Sequence, residues 1–127
     1  MIESNKISTV LSTMNRETIE GAITWTEMLR VNDIGLNSNE ELSGKVYQAN
    51  YKDRNFILFK CLVKIQTDEF EYNWVAEFRL IMLDKKGKID WEFPGHRAIS
   101  DLYESVRFKV SDVETFFDSF KDETFEL

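Results

Sequence analysis

The chain has 127 residues, 43% hydrophobic and 13% aromatic, with 23 acidic against 16 basic side chains and a net charge of −7. That is the size of one domain with its own core, and the composition is far from that of a disordered chain. The acidity argues against direct nucleic-acid binding, the single cysteine excludes an internal disulfide or a thiolate zinc cluster, and no apolar run approaches the ~20 residues that cross a bilayer. A soluble, cytoplasmic protein with no membrane partner is the expectation. A basic protein partner is one reading of the acidity, and plain solubility is the other.

In chain order, Ile7, Val10, Leu11 and Met14 fall on one helical stripe, which predicts a helix from about Asn5 to Glu20 closed by Gly21. Ile23 and Trp25 alternate with threonines and suggest a short strand within Ala22–Leu29. Val31–Gly44 is rich in Asn, Ser, Asp and Gly and reads as a long loop, with a helical turn at Asn39–Leu42. Strands follow at Lys45–Tyr51, Phe56–Gln66, Tyr72–Leu83 and Ile89–Phe93. Pro94 and Gly95 end the sheet.

Parity assigns faces to these strands. The lysines at 60 and 64 mark one side of the second strand as wet, which sends Ile57, Phe59, Cys61, Val63 and Ile65 inward. In the third strand, Glu77 and Arg79 mark the wet side, and Trp74, Phe78, Leu80 and Met82 point inward. Matching these faces pairs Phe59 with Phe78, Cys61 with Ala76 and Lys60 with Glu77. It also pairs Leu80 with Trp91 and Phe78 with Phe93. An odd loop after Tyr51 is then needed to turn Tyr47, Ala49 and Tyr51 inward. A second helix is predicted over His96–Phe108. A third starts at the capping box Ser111-Asp112-Val113-Glu114 and buries Val113, Phe116, Phe117 and Phe120.

The expected fold is a single α+β domain over 1–127. It has an N-terminal helix, a four- to five-stranded antiparallel meander, and two C-terminal helices packed on one sheet face.

Catalytic parts are scarce. His96 is the only histidine, and no nucleophile or pocket is marked beside it. Cys61 falls on the inner face, where a thiol is inert. The five glycines are isolated, so no phosphate-cradling loop exists, and no calcium loop is present. No enzyme, cofactor or metal is expected. The informative features concern interaction. Leu58, Leu62, Val75 and Ile81 fall on the outer sheet face and lack an assigned cover. Ile23–Trp25 or the 31–44 loop could cover them, and so could a second copy in a homodimer or another protein. Trp25 is the aromatic candidate for an interface. Asp112, Glu114 and Asp118 belong to an acidic C-terminal stretch that could face a basic partner.

Two segments together resemble a known kind of chain. They are VLSTMNRETIEGAITWT, a short helix followed by Gly21, Ile23 and Trp25, and AISDLYESVRFKVSDVETFFDSF, with Leu102, Tyr103 and Val106 ahead of the last helix. They are similar to a loose group of small uncharacterised bacterial helix–meander–helix proteins. Members are often encoded near toxin, defence or mobile-element genes. The resemblance implies a binding or accessory role and brings no catalytic residue. Three functions follow as expectations. The first is a non-enzymatic protein-binding module, such as an immunity-type inhibitor or an accessory subunit of a bacterial toxin or defence system. The second is a small-ligand sensor or weak hydrolase with a helix/sheet pocket near His96, Tyr103 and Trp25. The third is a nucleic-acid mimic that blocks a basic groove.

Overall fold

Apolar residues recurring at helical spacing put Ile7, Leu11 and Met14 on one buried stripe, and helix α1 spans Ser4–Glu20 in the computed structural model, which describes residues 4–31 and 34–121. Thr18 completes the stripe, while Val10 and Ile19 stay exposed. Gly21 ends the helix at φ +84°, the left-handed geometry that a residue without Cβ adopts freely. The buried Thr18 hydroxyl accepts the Trp25 indole N–H at 3.0 Å and so satisfies the one donor that this tryptophan brings into the core.

Six strands follow: β1 (Trp25–Glu27), β2 (Glu40–Leu42), β3 (Tyr47–Tyr51), β4 (Arg54–Gln66), β5 (Tyr72–Leu83) and β6 (Ile89–Glu92). They form one antiparallel sheet in the order β1-β3-β4-β5-β6, and β2 pairs with β4 beyond the end of β3. The expected α+β fold with an N-terminal helix, an antiparallel sheet and two C-terminal helices is the observed one. The sixth strand is β2, where a helical turn was expected. Glu40–Leu42 instead pair with Cys61–Val63, because the β4 backbone there has no other neighbour on that side. Helices α2 (Arg97–Val110) and α3 (Val113–Asp118) end the described chain.

The sheet carries a core on each face. On one face Trp25, Tyr47, Ala49, Phe56, Leu58 and Leu80 join buried residues of α1 and α2. On the other, Ile57, Phe59, Cys61 and Ile81 are covered by Val46 and by Ile34, with Met28, Leu36, Val63 and Leu83 packed around them. The loop between β1 and β2 is therefore the cover, one of the two self-covering segments expected.

This double burial corrects the predicted register. Phe59 pairs with Arg79, Lys60 with Phe78 and Cys61 with Glu77, one residue off the expected pairing. A one-residue slip turns a strand over. Phe56 and Leu58 face the helices, while Phe59 and Cys61 face the covering loop. Lys60 and Lys64 mark no outer face. They lie on the helix side, Lys60 half-buried at the margin of α2 and Lys64 exposed, with the Lys60 ammonium over the Phe78 ring and the Lys64 ammonium 4.0 Å from the Tyr72 ring centroid. The β5–β6 ladder is shifted as well: Met82 pairs with Trp91, and Phe93 donates to the Leu80 carbonyl. Trp91 and Phe93 still reach the helix side, whereas Ile89 is 42% exposed after the irregularity at Met82/Leu83.

The hairpin after Tyr51 is corrected for the same reason. Tyr51 pairs with Arg54, leaving a two-residue loop, Lys52-Asp53, with φ of +51° and +62°. Positive φ at both positions is the primed turn whose twist suits a hairpin. Because β4 is turned over, this even loop does bring Tyr47 and Ala49 to the helix side.

α3 departs from expectation. It buries none of its residues; Phe116 and Phe117 are 58% and 57% exposed, and its contacts run to α2. Asp112 is its N-cap, without a side-chain capping bond, while Ser111 Oγ accepts the Val113 N–H at 3.3 Å.

Neither Lys52 nor Asp53 is free of Cβ strain at positive φ, and Asn-Gly is the preferred pair there. Lys52→Asn with Asp53→Gly should stabilise the fold by about 0.5–1 kcal/mol, read as a higher urea midpoint at unchanged m-value.

Candidate functional site

The second-face core contains one charged residue. Arg79 lies on β5 and is 8% exposed. Its Nε and Nη2 donate to the Glu92 carboxylate on β6 at 3.0 and 2.6 Å, and its Nη1 donates to Glu40 Oε1 on β2 at 3.2 Å. The guanidinium stacks 5.4 Å from the Phe59 ring centroid. Glu40 Oε1 also accepts the Asn37 backbone N–H at 2.7 Å. The bidentate bond to Glu92 holds the Arg79 proton, against the opposing effect of burial. Cys61 beside it is fully buried, and burial pushes its thiol pKa up despite the hydrogen bond to Arg79.

Donor atoms of Glu40, Cys61 and Glu77 lie within 4.8 Å of one another, close enough to hold a cation. The chemistry of the set opposes it. Arg79 already occupies Glu40 Oε1, and its fixed positive charge would repel an ion at that point. The arrangement is a clamp. It ties β2 and β6, which flank the β4–β5 pair on opposite sides, through one planar fork.

A second grouping lies on the helix side. Lys45, Lys60 and Arg107 line a cavity of about 340 Å³ with Ser43, Tyr47, Tyr103 and Ser111 at its walls. Tyr103 Oη donates to the Lys45 carbonyl at 2.9 Å and edges onto Tyr47 with ring centroids 5.5 Å apart. Gly44, at φ +82°, lies so close that a Cβ would meet Tyr103 Oη at 3.2 Å. Burial raises the phenol pKa of both tyrosines. Of the three cations in this lining, Lys45 pairs with Glu27 and Arg107 with Glu104, each at 3.5 Å, which leaves Lys60 without a carboxylate partner among the described residues.

A third feature is uncovered apolar surface. Residues 72–77 of β5 are exposed, and Phe70, Tyr72, Trp74 and Val75 are 87%, 49%, 41% and 46% accessible. α2 packs on β1, β4 and β5 but does not cover this outer half of the hairpin. On α3, Phe116 stacks edge-on against Phe120 at 5.1 Å, with Glu114 and Asp118 alongside.

The structure separates the expected interface residues. Trp25, Leu58 and Ile81 are 5%, 0% and 0% exposed and present nothing to a partner. Leu58 was misplaced by the inverted face of β4 and Ile81 by a cover that parity could not reveal, while Trp25, beside the long loop, turns onto the helix side opposite Ala49. Leu62 is half-buried and Val75 exposed, on opposite faces of the outer hairpin. Asp112, Glu114 and Asp118 are exposed around α3; Asp122, Glu123 and Glu126 of the same acidic stretch lie outside the described residues. Trp74, expected in the core, is on the surface. His96 is the N-cap of α2, its Nδ1 accepting the Ala98 N–H at 3.0 Å. His96 and Trp25 are absent from the lining of the cavity that holds Tyr103. Arg79 and the α3 phenylalanines went unrecognised, since a charge in a strand reads as solvent-facing and a Phe run as core.

Compared with known proteins, the chain matches no family model, and neither curated proteins nor solved structures gave a significant match. Among the described residues no helix is long and apolar enough to cross a membrane.

Removing Arg79 should expose the cost of a stranded carboxylate. Arg79→Leu is expected to destabilise by about 3–5 kcal/mol, because Glu40 stays nearly buried with its main partner gone. The double variant Arg79→Leu/Glu40→Leu should recover a large part of that loss. Chemical denaturation of the four species of the cycle measures it.

Proposed function

We propose that the chain is a small, acidic, non-enzymatic protein-binding module, of the kind that serves as an immunity-type inhibitor or an accessory subunit of a bacterial toxin or defence system. The observation that carries this reading is α3. The helix and the residues flanking it, none of them buried, display Phe116, Phe117 and Phe120 beside Asp112, Glu114 and Asp118. Exposed aromatics with a charged rim are the composition of an interface anchor, and ordinary solvated helices lack them. The partner that fits is a protein with an apolar groove bordered by basic side chains. The clamp at Arg79 and the inert Cys61 supply no reacting group, which supports binding over catalysis.

The immobilised chain should retain a partner from extract of its own host cells, with release promoted by salt because acidic–basic contacts are screened. Phe116→Ala/Phe117→Ala should lose that partner while keeping its melting temperature, since both rings are more than half exposed. Equal retention by the variant would rule α3 out.

The cationic cavity favours a second reading, a sensor for a small anion. Its Lys60 lies beside two buried tyrosines, and Lys45 and Arg107, paired with Glu27 and Glu104, could turn to a phosphate or carboxylate. A thermal-shift series with inorganic phosphate and nucleotides should then raise the melting temperature, and Lys60→Ala/Arg107→Ala should abolish the rise. An unchanged melting temperature with every anion removes this reading.

A further inference from the structure

Strand β5 has an unprotected edge. β6 runs beside it from Leu80 onward, and among the described residues Tyr72–Phe78 pair with β4 alone. An edge of that length is ordinarily blunted by lysine, proline or a bulge. Here the run YNWVAEF holds a single charge, Glu77, and no proline, and its ladder to β4 is regular throughout.

The direction of the free backbone groups follows from two bonds. Thr67 N–H donates to the Glu71 carbonyl on the β4 side, and the Leu80 carbonyl accepts from Phe93 on the β6 side. Backbone polarity alternates along a strand, so odd residues aim at β4 and even residues aim outward. The outward N–H and C=O groups belong to Tyr72, Trp74, Ala76 and Phe78.

We propose that this edge is a homodimer interface, in which two copies join β5 to β5, antiparallel, about a two-fold axis at Val75. That axis position alone engages all four outward residues, giving about eight backbone hydrogen bonds across the pair. The side chains agree with it. Trp74 meets the partner's Ala76, large against small, and Tyr72 meets the partner's Phe78. Val75 meets its own copy at the closely spaced position. Glu77 meets the partner's Asn73, so no like charges oppose each other. Lys60 and Lys64 sit next to the edge on β4, opposite Phe78 and Trp74, and offset the acidity of the chain at that point. The result is one continuous sheet through both copies. The dimer proposal does not rest on the α3 partner.

Sedimentation equilibrium between about 1 and 500 µM tests it. An edge ladder buries less than a standard interface of about 1,200 Å² or more, so a micromolar dissociation constant is expected. It should tighten with added salt, because two chains of charge −7 repel, whereas α3 binding to a basic partner should weaken. Val75→Lys places two lysines face to face and should weaken the dimer at least about ten-fold. Asn73→Lys places lysine against Glu77 twice and should tighten it about five-fold. Both positions are exposed, and an unchanged melting temperature confirms the fold. A wild-type monomer at every concentration would overturn the proposal. So would a dimer that neither substitution moves, or one that Asn73→Lys weakens. A monomeric Val75→Lys variant that still captures the α3 partner separates the fate of the two proposals.

Discussion

Four consecutive residues of β4, Phe56 to Phe59, are buried, and everything else in the fold is arranged to make that possible. A strand shows alternate residues to opposite faces, so an unbroken buried run requires cover on both. α1 and α2 supply it for Phe56 and Leu58. The connection from β1 to β2 supplies it for Ile57 and Phe59, chiefly through Ile34 and Leu36. An all-antiparallel sheet often leaves one side to water; here a long polar-looking loop has been recruited as a third layer.

Holding that loop down is the business of Arg79. Its fork reaches Glu92 on one flank and Glu40 on the other, and Glu40 in turn receives Asn37 from the loop itself. A buried ion pair contributes little net stability compared with apolar packing of the same volume. What it does contribute is direction, because the planar guanidinium donates to its carboxylates at fixed angles. The covering segment is thereby pinned at β2 in one register, over a thiol that burial keeps unreactive.

Coverage stops halfway along the β4–β5 hairpin. The strands run 13 and 12 residues at about 3.3 Å each and outreach the helices of 17 and 14 residues at about 1.5 Å each, so their outer half carries aromatics that no described residue covers. α3 leaves its own phenylalanines bare at the other end of the chain. Both surfaces carry exposed aromatics, which is why we propose binding, through α3 to a partner of complementary charge and through the β5 edge to a second copy.

Helices, strands and their limits were legible because they rest on local rules. The stripe of α1, the bounds of β5 from Tyr72 to Leu83, the Gly21 stop and the α+β order all follow from spacing and backbone preference within a few residues. β2 was missed, because three residues of strand exist there only through pairing with Cys61–Val63, far along the chain. The faces of β4 are not legible from its lysines, because Lys60 and Lys64 lie on the helix side, at the margin of α2 and beyond it. Arg79 misled the reading in the opposite sense, a charge made burial-tolerant by two distant glutamates. The sequence by itself determined most of the segments that become helix or strand and the α+β class they build. Only the tertiary structure decided which face of each strand is buried, and which aromatics remain outside, since burial depends on what other parts of the chain happen to cover.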